Sequence, residues 1–201
     1  YVEAKQRRER NLIHMATTDD LTGLFNYRFL HESLKTIVER NKPGEEVYLI
    51  LIDLDNFKLI NDNFGHLMGD ALLKEIAQEL KGNVRQQDIL ARCGGDEFMV
   101  ILGSNTDQEH TLHAAERIRQ SISLACHNFC QKHHLPAEFL GKLTASIGIA
   151  CTSEQTIDKN SLIQEADEAV YYAKAYGKNR VILAHELLQL KNQQRVITDL
   201  Q

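Results

Sequence analysis

Three carboxylates stand where strands are expected to end. Asp96 and Glu97 follow two glycines in Arg92-Cys93-Gly94-Gly95-Asp96-Glu97-Phe98, and Asp53 closes the apolar run 47–52. The apolar segments 89–91 and 98–102 flank the glycines, which reads as a hairpin with Gly94 and Gly95 at its turn. Glycine admits positive φ and leaves no side chain in a ligand's way. If the 47–54 strand lies beside this hairpin, Asp53, Asp96 and Glu97 converge. Hard anions at a glycine-lined turn suit Mg²⁺, which favours carboxylates plus substrate phosphates. Lys58, Lys174 and Lys178 stand at other turns, and the set points to metal-assisted chemistry on a nucleotide. No P-loop pattern and no Ser-His-Asp or Cys-His arrangement stands out.

The positioning elements read as follows. Residues 1–18 read as a polar helix with a weak apolar stripe (Val2, Leu12, Ile13, Ala16): a solvated linker helix, or the end of a signalling coiled coil that feeds the domain. A turn over 19–26 introduces a helix at about 27–41, with Phe29, Leu30, Leu34, Ile37 and Val38 on one side and Pro43-Gly44 ending it. The unbroken apolar run of 47–54 predicts a strand buried on both faces, hence central. Asp53 and Asp55 share one face of it, and Asp55 reads as the N-cap of a helix over 56–61.

Residues 61–66 read as a loop, and Gly69-Asp70 as the start of a helix to about Gly82, with Asp70 a first-turn acid. A long helix at 107–133 shows the stripe Leu112, Ala115, Ile118, Ile122 and Phe129. A strand at 142–150, a helix at 161–176 capped by Ser161, a turn at 177–179 and a strand at 180–183 complete the pattern. The fold class is α/β (α+β): one mixed central sheet flanked by helices. Three segments are expected: a linker helix at 1–18, a domain at 19–183, and a helical extension at 184–201 outside the core.

The 201 residues suffice for one good-sized core. A net charge of −5 argues against a nucleic-acid partner. The longest apolar runs are too short to span a bilayer, and no signal peptide is visible. Four cysteines (Cys93, Cys126, Cys130, Cys151) form no disulfide framework, so a reducing cytoplasm is expected. Cys126, Cys130 and His133 share a helix face, and a zinc site there is a second reading beside plain burial. The chain begins at Tyr1, so a fragment of something longer is expected, with an upstream sensor domain that could be membrane-bound.

The motifs resemble, in order, those of the GGDEF diguanylate cyclases. The matching blocks are residues 20–26, the segment 53–62 with Gly65-His66 and Gly69-Asp70, the signature 94–98, Ser146-Ile147-Gly148, and Ala166-Asp167 with Tyr172-Ala173-Lys174. The resemblance implies a fold related to nucleotidyl cyclases and polymerase palms. It also implies condensation of two GTP into cyclic di-GMP plus pyrophosphate across a homodimer. By similarity, Asp53, the Leu54 carbonyl, Asp96 and Glu97 hold Mg²⁺, with Mn²⁺ as the alternative ion, and Asp96 accepts the proton.

The resemblance further places Asn61 and Asp70 on guanine, and Lys58, Lys174 and Lys178 on the triphosphate. Phe57, His66, Gly94 and Gly95 line the substrate. Arg85 and Asp88, as R-x-x-D five residues before the signature's first glycine, with Arg117, resemble the family's product-inhibition site. Two departures stand out: Tyr27 replaces the usual Arg, and Lys178 stands where Arg is common. A non-catalytic receptor for GTP or cyclic di-GMP is the competing reading. A relative with relaxed base choice and a template-dependent palm are further ones, disfavoured by Asp70 and by the charge respectively.

Overall fold

The 47–54 run does form a central strand, because helices cover it on both sides. The computed structural model describes residues 2–42, 45–103, 106–153 and 158–187. The elements are α1 (Val2–Thr17), β1 (Phe25–Asn26), α2 (Tyr27–Arg40), β2 (Tyr48–Asp55), α3 (Phe57–Phe64) and α4 (His66–Asn83). They continue with β3 (Ile89–Gly94), β4 (Glu97–Ile101), α5 (Gln108–Lys132), a 3₁₀ turn (Ala137–Phe139), β5 (Thr144–Cys151), α6 (Lys159–Ala175) and β6 (Val181–Leu183). The six strands lie in the order β1-β3-β4-β2-β5-β6. The outer pairs β1/β3 and β5/β6 are parallel, and the inner pairs antiparallel.

Alternation along β2 builds two cores. Tyr48, Ile50, Ile52 and Leu54 face one cluster with Leu72, Ile76 and Leu80 of α4 and Ile118, Ile122 and Phe129 of α5. Leu49 and Leu51 face the other, with Leu30 and Leu34 of α2 and Leu162, Ala166 and Ala169 of α6. Every residue of β2 is buried. By parity Asp53 and Asp55 project toward α6, on the face of Leu51, as predicted for side chains two apart.

Local capping explains several boundaries. Asn26 caps α2 by accepting from the Phe29 amide at 2.9 Å. Asp107 caps α5 through His110 N at 2.8 Å. For α6 the cap is Asp158, which accepts from Asn160 N and Ser161 N, so Ser161 lies inside the helix. Helix α2 ends at Arg40; Pro43 and Gly44 lie outside the described residues.

The structure corrects other expectations. Residues 61–64 are helical, and α4 begins at His66, with Gly65 at φ 80° making the only break between α3 and α4. Asp70 is therefore not in the first turn of α4. In α5, Leu112 is 39% exposed while Thr111 is buried, so the stripe runs through Thr111, Ala115 and Ile118. Strand β5 is buried on both faces rather than alternating with solvent. Leu12 and Ile13 of α1 are exposed. Cys126 and Cys130 are core residues, and burial pushes the Cys126 thiol up to about 12. Ala184 and Leu187 are buried in the α6-side core, so the segment after Leu183 does not stand outside the core. Residues 188–201 lie outside the described ones.

Candidate functional site

Strand order meets the condition set by the sequence: β4 lies directly beside β2, and Asp53 is the register partner of Glu97. Both side chains stand on the α6 face. The turn residues of the hairpin are Gly95 and Asp96, one position later than expected, because a bulge at Cys93 shifts the register and pairs Gly94 with Glu97. Gly94 has φ 133° and Gly95 φ 53°, conformations that favour glycine. The turn is tied to β2 by Leu54 N donating to the Asp96 carbonyl at 3.2 Å.

The acids form a strained anionic cluster. Asp53 is 8% exposed. Its Oδ2 pairs with Lys174 Nζ at 2.6 Å, while its buried Oδ1 has no hydrogen-bond partner among the described residues. Burial, followed by the charges of Asp96 and Asp55, holds the Asp53 carboxyl above the usual carboxylate range despite Lys174. Burial likewise raises Glu97, helped by Asp53, Asp96 and Asp167. An orphaned buried oxygen beside mutually repelling carboxylates is what a divalent cation would relieve, so the donor set fits Mg²⁺ or Mn²⁺. Among the described residues no three such side chains are already gathered as a ligand sphere; the Lys174 ammonium stands on Asp53 instead.

Asp55 does not cap a helix. It is 1% exposed and accepts from Thr144 Oγ1 at 2.6 Å, Ser146 Oγ at 2.7 Å and Asn179 N at 3.0 Å. The residue before α3 is Asn56, in a left-handed conformation with no side-chain cap bond. Asp55 thereby anchors the 177–179 turn. That turn carries Lys178, whose Nζ donates to Asn56 Oδ1 at 2.6 Å. Lys174, Lys178 and Asp53 are thus held at one rim, and exposed Lys58 lies one residue into α3 from Phe57.

Phe57 and Asn61, one turn apart on α3, both lean on Gly69 of α4. A Cβ at Gly69 would overlap Asn61 Oδ1 and come within 3.1 Å of Phe57 Cζ. Asp70 follows, half-buried, and His66 is exposed at the start of α4. Gly69→Ala gains helix propensity of about 1 kcal/mol, and the group that must move is a side chain. The variant is expected to fold normally but, if Asn61 holds guanine as the resemblance implies, to raise the KM for GTP about tenfold, a shift of about 1.4 kcal/mol. A KM within twofold of wild type would show that Asn61 does not need this seat.

Arg85 is exposed, and Asp88 spends its carboxylate on the backbone: Oδ2 accepts from Arg85 N at 2.7 Å and Oδ1 from Gly103 N at 2.9 Å. An open cavity of about 400 Å³ lies at these residues, with Lys81, Val84 and Leu90 among its walls. Arg117 is on neighbouring α5 and donates to the Asn83 carbonyl at 2.9 Å.

Two residues gained roles that sequence reasoning had not given them. Arg92 pairs with Asp19 at 3.2 Å and donates from Nη2 to the Gly95 carbonyl at 2.7 Å, fastening the entry turn to the signature turn. Asp167 and Glu97 line a second open cavity, of about 540 Å³, and Asp167 adds to the electrostatic load on Glu97. Asp167 stands inside a motif block and Arg92 two residues before the signature, which was the only signal available.

The mixed sheet, with acids delivered to one rim by a central strand and its neighbouring hairpin, defines an α/β palm-like domain. The profile described as "Diguanylate cyclase, GGDEF domain" matches residues 16–180, and the chain belongs to that family. It is 42% identical over 171 residues to the response regulator PleD of Caulobacter vibrioides, covering 85% of this chain and 36% of that protein. It is 41% identical over 174 residues to diguanylate cyclase DosC of Escherichia coli K12, covering 85% and 35%. The chain thus spans about a third of the length of these curated relatives. Among solved structures, the coiled coil and GGDEF domain of DgcB from Caulobacter crescentus, in complex with c-di-GMP, superposes with TM-score 0.78. That match has 28% identity and covers 90% of this chain and 93% of that one. No helix among the described residues is long and apolar enough to cross a membrane.

Proposed function

We propose that this domain is a diguanylate cyclase: two GTP condense into cyclic di-GMP with release of two pyrophosphates. The observation that carries the reading is the Asp53–Glu97 pair across β2 and β4, with an unpartnered Asp53 oxygen. Asp53, the Leu54 carbonyl, Asp96 and Glu97 would hold the divalent cation. Bound there, it would supply Lewis-acid stabilisation of the α-phosphate and a lowered pKa for the attacking 3′-hydroxyl. Asp96, at the turn, takes that proton. Asn61 and Asp70 hold the guanine edge; Lys58, Lys174 and Lys178 offset the triphosphate charge.

One protomer presents one such half-site. Each ribose 3′-hydroxyl attacks the α-phosphate held by the other protomer, so a homodimer is required. Incubation with GTP and Mg²⁺ should yield cyclic di-GMP by chromatography, with a rate per protomer that rises with protein concentration. Tight nucleotide binding with no product at any concentration would favour the receptor reading instead.

Arg85, Asp88 and Arg117 form the product-inhibition site in this proposal. The exposed Arg85 guanidinium can fork onto guanine O6 and N7, while Asp88 shapes the turn that presents it. Arg85→Ala is expected to raise the cyclic di-GMP concentration for half-inhibition about tenfold or more. An unchanged inhibition curve would remove this site from the proposal.

A further inference from the structure

Lys174 lies in the last turn of α6, and its ammonium is placed at 2.6 Å from Asp53 Oδ2. Among the described residues it is the cation whose field lowers both Asp53 and Glu97 against their mutual repulsion. The other two basic candidates are elsewhere: Lys178 is bonded to Asn56, and Lys58 is exposed on α3. Yet Asp53 is also the carboxylate that the proposed function assigns to a divalent cation. A metal–oxygen bond is about 2.1 Å long for Mg²⁺. An ammonium and a metal ion on the same buried carboxylate would therefore stand within about 3 Å to 4 Å of each other, two like charges competing for one set of oxygens. Each weakens the other's hold on Asp53.

We propose that Lys174 is a resident counter-ion which the metal must displace, and whose freed ammonium then serves the incoming triphosphate. This rests on reading the site as a GTP and metal site. The side chain is suited to the exchange: it is 39% exposed, carries a compact charge on a flexible four-carbon stem, and is rooted on a helix whose backbone need not move. With the nucleotide absent, displacing the ammonium strands it without a partner, so metal alone binds poorly. With the triphosphate present the ammonium has a new anion, and metal and nucleotide favour each other's binding. By linkage that coupling is reciprocal. At an ordinary surface ion pair, water would screen a metal on one carboxylate oxygen from an ammonium on the other. Asp53 is buried, so a metal on its unpartnered Oδ1 would face the Lys174 ammonium on Oδ2 with little water to screen the two like charges.

The test measures Mn²⁺ binding by the loss of the free-ion electron paramagnetic resonance signal, at mildly alkaline pH. It uses the whole chain, with and without a non-condensable α,β-methylene analogue of GTP. Wild type should bind Mn²⁺ alone weakly and about tenfold or more tightly with the analogue, within the usual span of allosteric coupling. Lys174→Met should bind Mn²⁺ alone about tenfold tighter than wild type and lose most of the coupling. Lys174→Gln, polar and uncharged, should behave the same way and guards against a folding defect in the first variant, with melting curves run on both. If wild type binds Mn²⁺ well with the analogue but neither variant binds the bare ion more tightly, the counter-ion role is wrong and the GTP site stands. If wild type binds Mn²⁺ neither with nor without the analogue, the metal reading fails and this inference fails with it.

Discussion

Asp53→Asn is expected to lower cyclic di-GMP synthesis about a thousandfold or more, the scale of losing a principal electrostatic group in an active site, while the domain stays folded. The first half follows from geometry: Asp53 joins β2 to the hairpin acids at the rim, and no other described carboxylate stands opposite Glu97 in the register. The second half follows from the direction of the Asp53 shift. Its folded carboxyl is held above the ordinary value, chiefly by burial. Between the unfolded value and the raised folded one, the native state holds more protons than the unfolded state. Stability from this group therefore falls as pH rises through that window. Asparagine removes that dependence and relieves the repulsion on Glu97. The variant's melting temperature relative to wild type should climb from acid toward neutral pH in metal-free buffer. Since catalysis needs the ionised acids, wild-type activity should rise over the same range. Undiminished turnover in the variant would sink the metal assignment, and a melting difference independent of pH would sink the electrostatic account.

What the sequence showed, it showed through local pattern. The burial of β2 was legible because Leu49, Ile50, Leu51 and Ile52 are consecutive, and the hairpin because glycines break two apolar runs. The acids were legible as a set because each sits at the end of a strand. Failures came where a distant partner overrode a local motif. Asp55 looks like a helix cap next to Asn56, but Thr144 and Ser146, 89 and 91 residues further on, take its oxygens. No local pattern shows hydroxyls on a strand not yet paired. Arg92 and Asp19, 73 residues apart, were visible singly and not as a pair. In α6 both Asp158 and Ser161 are good capping residues, and the earlier one wins because its side chain reaches two amides at once. Gly65 misled in the other direction: it suggested a loop, yet one residue at positive φ suffices to redirect the chain between two helices.

Gly148→Ala is the second substitution with a large expected effect, and it acts through packing rather than charge. Gly148 lies in β5 between Leu51 of β2 and Ile182 of β6. On the α6 face there is no room for a methyl: an added Cβ would overlap the Ala166 carbonyl, stand 2.8 Å from Val170 N and 3.0 Å from Ala169 Cβ. Two of these are backbone atoms, so no side chain can turn away, in contrast with Asn61 over Gly69. Helix α6 must lift from the sheet. Overpacking of this kind costs about 1–3 kcal/mol, which in a chain of this size lowers the melting temperature by roughly 2–12 °C, and Gly148→Val should cost more. The same movement carries Lys174 and Asp167 away from Asp53 and Glu97. Turnover should then fall even at temperatures where the variant is fully folded, and the fall should exceed any change in nucleotide affinity, because the guanine seat proposed on α3 and α4 is untouched. A variant that melts within a degree of wild type would show that α6 does not rest on this glycine. One that melts lower but turns over normally would show that the rim acids do not depend on the position of α6. The close approach of sheet and helix at Gly148 thus sets where the Lys174 ammonium can reach, which makes a residue with no side chain part of the site's electrostatics.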